Sequence, residues 1–198
     1  MSPFGGLWFS AILRPRLKPS DASKLTFAAA LAVAKTLRGL YYLEVSTKWP
    51  NDVLVSGKKT CGVLAEMSAS GERTSYVVLG IGVNANFEAK ALPEELWEKA
   101  TSLKTELGRN INVERLFNTL LENLESIYLQ SLKRGFLSVL EEWKTFATFL
   151  RTQVKVTDEN EEWIGVALDV NVDGSLSLEL QDGTLKRIFV GDVSVLTE

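Results

Sequence analysis

Histidine is absent from this 198-residue chain. Every chemistry that needs an imidazole goes with it: the Ser-His-Asp and Cys-His nucleophiles, the His-ligated metal and the His general base. Catalysis here has to run on Lys, Arg, Asp, Glu, backbone amides or a bound ion. Cysteine is nearly absent too. The single Cys61 rules out an internal disulfide and points to a reducing compartment, so cytoplasm is the expected location. Long apolar runs are lacking: the longest is the eight residues Phe27 to Ala34, against the ~20 that a membrane-spanning helix needs. No membrane association is expected, and the absence of Lys or Arg before the apolar stretch Phe4 to Leu13 argues against a secretory signal.

What is present is a globular composition, 45% hydrophobic and 24% charged, in a length that suits one domain with a small second one. Charge is divided unevenly. Residues 1–150 carry 18 Lys and Arg against 15 Asp and Glu, whereas residues 151–198 carry 4 against 10. An acidic tail does not grip phosphodiesters, and the first part shows no basic stripe interleaved with aromatics. No helix-turn-helix segment is seen at the N-terminus either, so no DNA partner is expected.

Along the chain, Leu7 to Leu13 reads as a buried strand closed by Arg14-Pro15. Ser20 offers an N-cap for a core helix over about 21–38, with Leu25, Ala28, Ala29, Ala32, Val33 and Leu37 at helical spacing and Gly39 as its stop. Glu44 to Asn84 reads as three or four strands turning at Ser56-Gly57 and Ser70-Gly71. Pro93 opens a short helix through Trp97. Asn112 caps a longer one with Leu116, Phe117, Leu120, Leu121, Leu124, Ile127 and Tyr128 on one face, which such a pattern assigns to the core, and a third runs from about Phe136 to Phe146. After Leu150 come short β-rich runs, Val154 to Thr157, Trp163 to Val170, Leu176 to Leu180 and Leu185 to Val190, with hairpin signals at Asp173-Gly174 and Asp182-Gly183. This places a boundary near Thr148 to Arg151, with domains 1–149 and 150–198, the second a small antiparallel barrel and the first carrying its own helix-on-sheet core. The fold class is α+β followed by all-β.

The densest run of unusual residues is Lys48-Trp49-Pro50-Asn51-Asp52, followed by Gly57-Lys58-Lys59-Thr60-Cys61-Gly62 and Glu66. Two strands flank a tight turn, so Asp52 and Lys59 fall at similar distances from it and can meet across the hairpin as an acid–base pair. The competing reading is plain turn chemistry, since Pro-Asn-Asp favours turns and Lys beside Gly suits any solvated loop. Gly80-Ile81-Gly82-Val83-Asn84 puts two glycines in a β-branched strand, which marks either a bulge or a place where a ligand nears the backbone. The third glycine and following helix of a dinucleotide fingerprint are missing. Cys61 reads as a small buried filler, Trp49 as a core anchor, and Glu66 as either a solvent-facing or an ion-paired strand residue.

In order and spacing, Lys48-Trp-Pro-Asn-Asp52, Gly57-Lys-Lys-x-x-Gly62 and Gly80-Ile-Gly-Val-Asn84 resemble the central motifs of the biotin protein ligases. Ser2-Pro-Phe-Gly-Gly-Leu-Trp8-Phe-Ser10 is similar to the strand that follows the family's Gly/Arg-rich loop, and the C-terminal β unit to its SH3-like last domain. The resemblance implies a class II synthetase-like mixed β-sheet packed on helices, and a biotin–[acetyl-CoA-carboxylase] ligase. Such an enzyme joins biotin to ATP as biotinyl-AMP, then passes biotin to a lysine of a biotin carboxyl carrier protein. By the same resemblance Lys59 would lie between the biotin carboxylate and the α-phosphate, and Asp52 would hold Mg²⁺ or order the nucleotide. Asn51 and Asn84 would bond the nucleotide, Gly62, Gly80 and Gly82 would admit biotin and adenylate to the backbone, and Trp8 would line the pocket. A homodimer is compatible with this reading. The family's Gly-Arg-Gly-Arg-x-x-Gly-Arg-x-Trp loop, expected just upstream of Ser2-Pro3, is not in these residues. Two alternatives therefore stay open: a truncated module that binds biotin and carrier without catalysis, and a lipoate–protein ligase, against which Trp49-Pro50 argues.

Overall fold

The computed structural model describes residues 3–159 and 161–196; Ser2, first residue of the opening motif, lies outside them. In chain order the elements are β1 (Leu7–Leu13), α1 (Pro19–Ala22), α2 (Leu25–Tyr41), β2 (Val45–Lys48), β3 (Asp52–Val55), β4 (Lys58–Ser70) and β5 (Arg73–Val83). Two 3₁₀ turns precede α3 (Leu103–Leu107), α4 (Val113–Arg134) and α5 (Leu137–Lys144), and β6 (Gln153–Thr157), β7 (Glu162–Val170), β8 (Leu176–Leu180), β9 (Leu185–Ile188) and β10 (Asp192–Val195) complete the chain. The strands form one sheet in the order β1-β5-β4-β3-β2 and a second in the order β10-β6-β7-β8-β9. Every pairing between these strands is antiparallel. Tight turns rather than helical crossovers join most neighbours, as at Ser56-Gly57, where both residues have positive φ, 50° and 77°. The α+β class expected from the sequence is present, with the parallel component of a mixed sheet reduced to one isolated bridge, Lys59–Ala100.

The core helix differs from its expected bounds. Ser20 does not cap it: Pro19 starts a separate short α1, because a fixed helical φ and a missing N–H cost nothing in a first turn. At the other end α2 runs through Gly39, whose penalty of ~1 kcal/mol is outweighed by burial of Leu37 and the packing of Leu40 and Tyr41 on the core. The left-handed residue that ends it is Tyr42, φ 55°, whose N–H donates to the Arg38 carbonyl. Helix α2 is apolar nearly all round because it is buried nearly all round, between the first sheet, α4 and α5. Helix α4 is the amphipathic one. Asn112 caps it by accepting from the Arg115 N–H at 2.9 Å. Of its stripe, Leu116, Leu120, Leu124 and Ile127 are buried, while Phe117, Leu121 and Tyr128, on the margins of the face, are only partly so.

These helices cover one face of the first sheet, and the strands alternate accordingly. In β1 Leu7 is buried while Trp8, Ser10 and Ile12 are exposed, and in β4 Cys61 and Val63 are buried while Leu64 and Glu66 are exposed. Glu66 is thus the solvent-facing residue of its pair of readings. The second sheet docks against the start of α2, where Phe27 faces Gly174, and against the β2–β3 connection through Trp49. Trp143 lies between Phe27 and Phe149, edge-on at 5.0 and 6.3 Å, and the buried side chains of both sheets form one continuous cluster. Strand β10 was not expected from the sequence, since only Val193 of its four residues is buried.

Candidate active site

Strand register gives the open face of the first sheet its order. Trp8 of β1 pairs with Gly82 of β5, Gly82 with Gly62 of β4, Gly62 with Asp52 of β3, and Asp52 with Lys48 of β2. Directly opposed residues share a face, so these five form a row across the whole sheet: an aromatic ring, two bare backbones, a carboxylate and an ammonium. The next row behind it reads Ser10, Gly80, Leu64. A glycine floor thus runs between an apolar wall at one end and charge at the other.

Lys59 does not belong to this face by simple alternation, because Cys61 and Val63 on the same parity are in the core. A β-bulge changes that. Val53 pairs with Cys61 but Leu54 pairs with Lys59, leaving Thr60 as the extra residue, and Thr60 is fully buried. The bulge turns Lys59 toward the row above: a Cβ placed on Gly62 would lie 3.4 Å from Lys59 Cε and 3.7 Å from Asp52 Oδ1. The freed backbone is paired elsewhere, with the Lys59 N–H donating to Lys99 O and the Thr101 N–H to Lys59 O, at 2.8 and 2.9 Å.

Asp52 is the electrostatic centre. Its side chain is only 5% exposed, and Lys59 Nζ lies 2.7 Å from Oδ1. Lys48 Nζ lies 3.8 Å from Oδ2 and 2.8 Å from Asp192 Oδ1, at the start of β10. The Lys59 contact is an ion pair whose angles make no hydrogen bond, so Asp52 Oδ1 is a buried acceptor left without one. Among the described residues no group of three or more Asp, Glu, Cys or His is placed to cage a metal ion. One buried carboxylate with an unsatisfied oxygen instead fits a hard cation shared with phosphate oxygens.

Two adjoining clefts open over the row. One, of about 610 Å³, is bordered by Trp8, Ser10, Asn51, Leu64 and Gly80. The other, of about 350 Å³, is bordered by Lys59, Asn84, Leu92, Leu96, Lys99 and Ala100. Trp8, Gly62 and Gly82 line both. Such a concave site, apolar on one wall with a few convergent polar groups, is what a small amphiphilic ligand requires.

The sequence profile of the Biotin/lipoate A/B protein ligase family matches residues 1–84, the stretch that holds Trp8, Asp52, Lys59 and the glycine floor. The biotin–[acetyl-CoA-carboxylase] ligase of Paracoccus denitrificans is 30% identical over 180 residues, covering 89% of this chain and 75% of that protein. The chain belongs to the biotin/lipoate protein ligase family. The bifunctional ligase/repressor BirA of Bacillus spizizenii is 34% identical over 190 residues, 96% of this chain, and the chain spans 58% of its length. Among solved structures, the biotin protein ligase of Aquifex aeolicus in complex with biotin and ATP superposes with a TM-score of 0.82 at 26% identity, covering 98% of this chain and 79% of that one.

Measured against the family motifs, Lys59, Asp52, Gly62, Gly80, Gly82 and Trp8 all lie on the open face of the sheet. The two asparagines are engaged in building it. Asn51 Nδ2 donates to Val63 O at 2.8 Å, and Asn84 Nδ2 to Thr101 O at 2.8 Å, so each ties a loop to the cleft edge. Trp49 is the core anchor its size suggested, 1% exposed, with Nε1 donating to Gly174 O in the β7–β8 turn at 2.9 Å. Cys61 is buried beneath Asp52, and burial, with a smaller contribution from the Asp52 charge, pushes its thiol up to about 12. It is a core residue, not a nucleophile. Sequence reasoning missed Leu92, Leu96, Lys99 and Ala100, which reach the cleft only through the bulge pairing of Lys59 with residues 99–101. No local signal in that stretch announces it.

Proposed function

We propose that this chain carries the ATP-dependent centre of a biotin–[acetyl-CoA-carboxylase] ligase, with residues 1–149 as the ligase unit and residues 150–198 as an SH3-like unit beside it. The observation that carries the reading is the bulge at Thr60, which turns Lys59 into a glycine-floored cleft against a buried carboxylate. The Paracoccus and Aquifex relatives, the second described with biotin and ATP, support it.

In the first step a biotin carboxylate oxygen bonds to the α-phosphorus of ATP, and the α–β phosphoanhydride bond breaks to release pyrophosphate. Two anions have to meet, and no histidine or covalent intermediate is needed. The work is to hold them together and to offset their charge. Lys59 Nζ is the cation at that point, half-exposed and paired with Asp52 before the anions arrive. The indole of Trp8 and the side chain of Leu64 flank the glycine floor and provide an apolar wall for the biotin ring and chain. Asp52 would be the residue to hold Mg²⁺, which would supply further neutralisation of the phosphate charge. In the second step the neutral ε-amine of a carrier lysine attacks the acyl carbon, an amide forms, AMP leaves, and the amine proton is lost to solvent. The reading places this reaction in the cytoplasm with a biotin carboxyl carrier protein as acceptor.

The test is direct. The chain is incubated with ATP, Mg²⁺, a biotin carboxyl carrier domain and either biotin or lipoate, and both pyrophosphate release and acceptor mass are followed. Biotin-dependent pyrophosphate release with a biotin-sized mass gain on the carrier is expected. Lipoate transferred in preference to biotin would replace this reading with the lipoate one, and neither compound being activated would end it.

A further inference from the structure

Lys48 stands between two carboxylates on different sheets. Its Nζ is 2.8 Å from Asp192 Oδ1, on the first residue of β10, and 3.8 Å from Asp52 Oδ2. Lys48 itself is 20% exposed and Asp52 5% exposed, so this pairing is made where water offers little competition on the ligase side. Asp192 is 62% exposed, and a pair with so open a partner contributes little to stability. Its geometry matters more than its energy. Asp52 faces two ammonium groups, Lys59 on one oxygen and Lys48 on the other, and Asp192 draws the second of them about a full ångström farther off. Lys59 thereby holds the closer place on Asp52.

We infer that Asp192 is a positioning residue for the ligase centre: by holding Lys48 away from Asp52, the C-terminal sheet keeps Asp52 available to Lys59. The inference rests on the function proposed above for Lys59 and Asp52. The four groups Lys59, Asp52, Lys48 and Asp192 form a charge-balanced chain. Without Asp192, Lys48 has one carboxylate left, moves onto Asp52 and competes with Lys59 for it. A displacement of that size at a reacting group costs up to about a hundredfold in rate, while the cleft that binds biotin, on the Trp8 side of the row, is untouched. A second tie fixes the same joint, since Trp49, next to Lys48, donates to Gly174 O of the C-terminal sheet.

The experiment uses Asp192→Asn, Asp192→Glu, Lys48→Met and the Lys48→Met/Asp192→Asn pair, each in the 198-residue chain. Two readouts are taken: steady-state biotinyl-AMP formation, and acetylation rates of Lys59 and Lys48 by dilute acetic anhydride, followed by peptide mass spectrometry. Asp192→Asn should lower kcat about tenfold with KM for biotin within about twofold, and Asp192→Glu should restore most of kcat. Lys59 should be acetylated several-fold faster in Asp192→Asn, because its carboxylate partner is now shared. Because Asp192 acts through Lys48, the double variant should match Lys48→Met in both readouts. Unchanged Lys59 reactivity in Asp192→Asn, or additive effects in the double variant, would overturn the inference. The labelling needs no turnover, so a chain that activates no biotin refutes the functional reading and still answers this one.

Discussion

The indole of Trp8 lies on the bare backbone of Gly82, its cross-strand partner. A Cβ on Gly82 would come within 2.7 Å of the indole carbons Cε3 and Cζ3, and one on Gly6 would collide with the opposite edge of the same ring. The apolar wall of the cleft is therefore held flat by the absence of two side chains. Gly80, two residues along the same strand, has no comparable neighbour, since a Cβ there would meet only Leu64 at 3.8 Å or more.

This difference predicts an ordering. Gly82→Val should push the Trp8 indole off the sheet, cost about 1–3 kcal/mol of stability by overpacking, and weaken biotin binding. Gly80→Ala should do neither in the absence of ligand. Urea unfolding and calorimetric titration with biotin read both effects; equal behaviour of the two variants contradicts the role given to Gly82.

Trp49→Phe removes the indole donor and leaves Gly174 O without that hydrogen bond at the joint between the sheets. A loss of about 1–2 kcal/mol in unfolding free energy is expected, with the two sheets still melting together because their buried side chains form one cluster. Two separated transitions in the wild-type chain would show that the sheets fold as independent units.

Cys61 gives a pH dependence with a definite sign. Its thiol is pushed from an ordinary value of 9.0 up to about 12 in the folded chain, so between those limits the unfolded chain has lost a proton that the folded chain keeps. Stability contributed by this group is present below pH 9 and falls as pH rises through the window, by at most about 1.4 kcal/mol per pH unit. The slope should flatten in Cys61→Ala. Iodoacetamide at pH 8 should leave the folded chain unmodified and label it in denaturant; ready alkylation of the native chain would place the thiol outside the core.

The parts of this fold that the sequence reveals are those set locally. Ser-Gly and Asp-Gly turns, the stripe of α4 and the meeting of Asp52 with Lys59 across a hairpin all depend on residues within a few positions of each other. The parts it hides are set by distant contacts. Gly39 looks like a helix stop until the packing of Leu40 and Tyr41 is known. The glycines of β5 announce a close approach, yet only the register with β1 reveals that Trp8 is what approaches Gly82. Residues 99–101 and Asp192 join the site through backbone pairing and a sheet-to-sheet ion pair, and neither leaves a pattern in its own segment.

Lys58 and Lys59 are adjacent on the same side of the bulge, and strand alternation sends them to opposite faces: Lys58 Nζ turns to Trp97 O and Glu98, at 3.3 and 3.5 Å, while Lys59 turns to Asp52. Lys58→Ala should therefore change adenylation less than about twofold, the modest effect expected of an exposed ion pair.

Biotin-dependent exchange of labelled pyrophosphate into ATP, measured on Lys59→Met beside wild type and Lys58→Ala, tests the central claim most directly. The account predicts at least about a hundredfold loss in Lys59→Met, the cost of removing one preorganised charge from a developing anion, in a chain that circular dichroism shows still folded, though with a lower unfolding midpoint because the buried Asp52 loses its nearest cation. Exchange in Lys59→Met within a few-fold of wild type would contradict it.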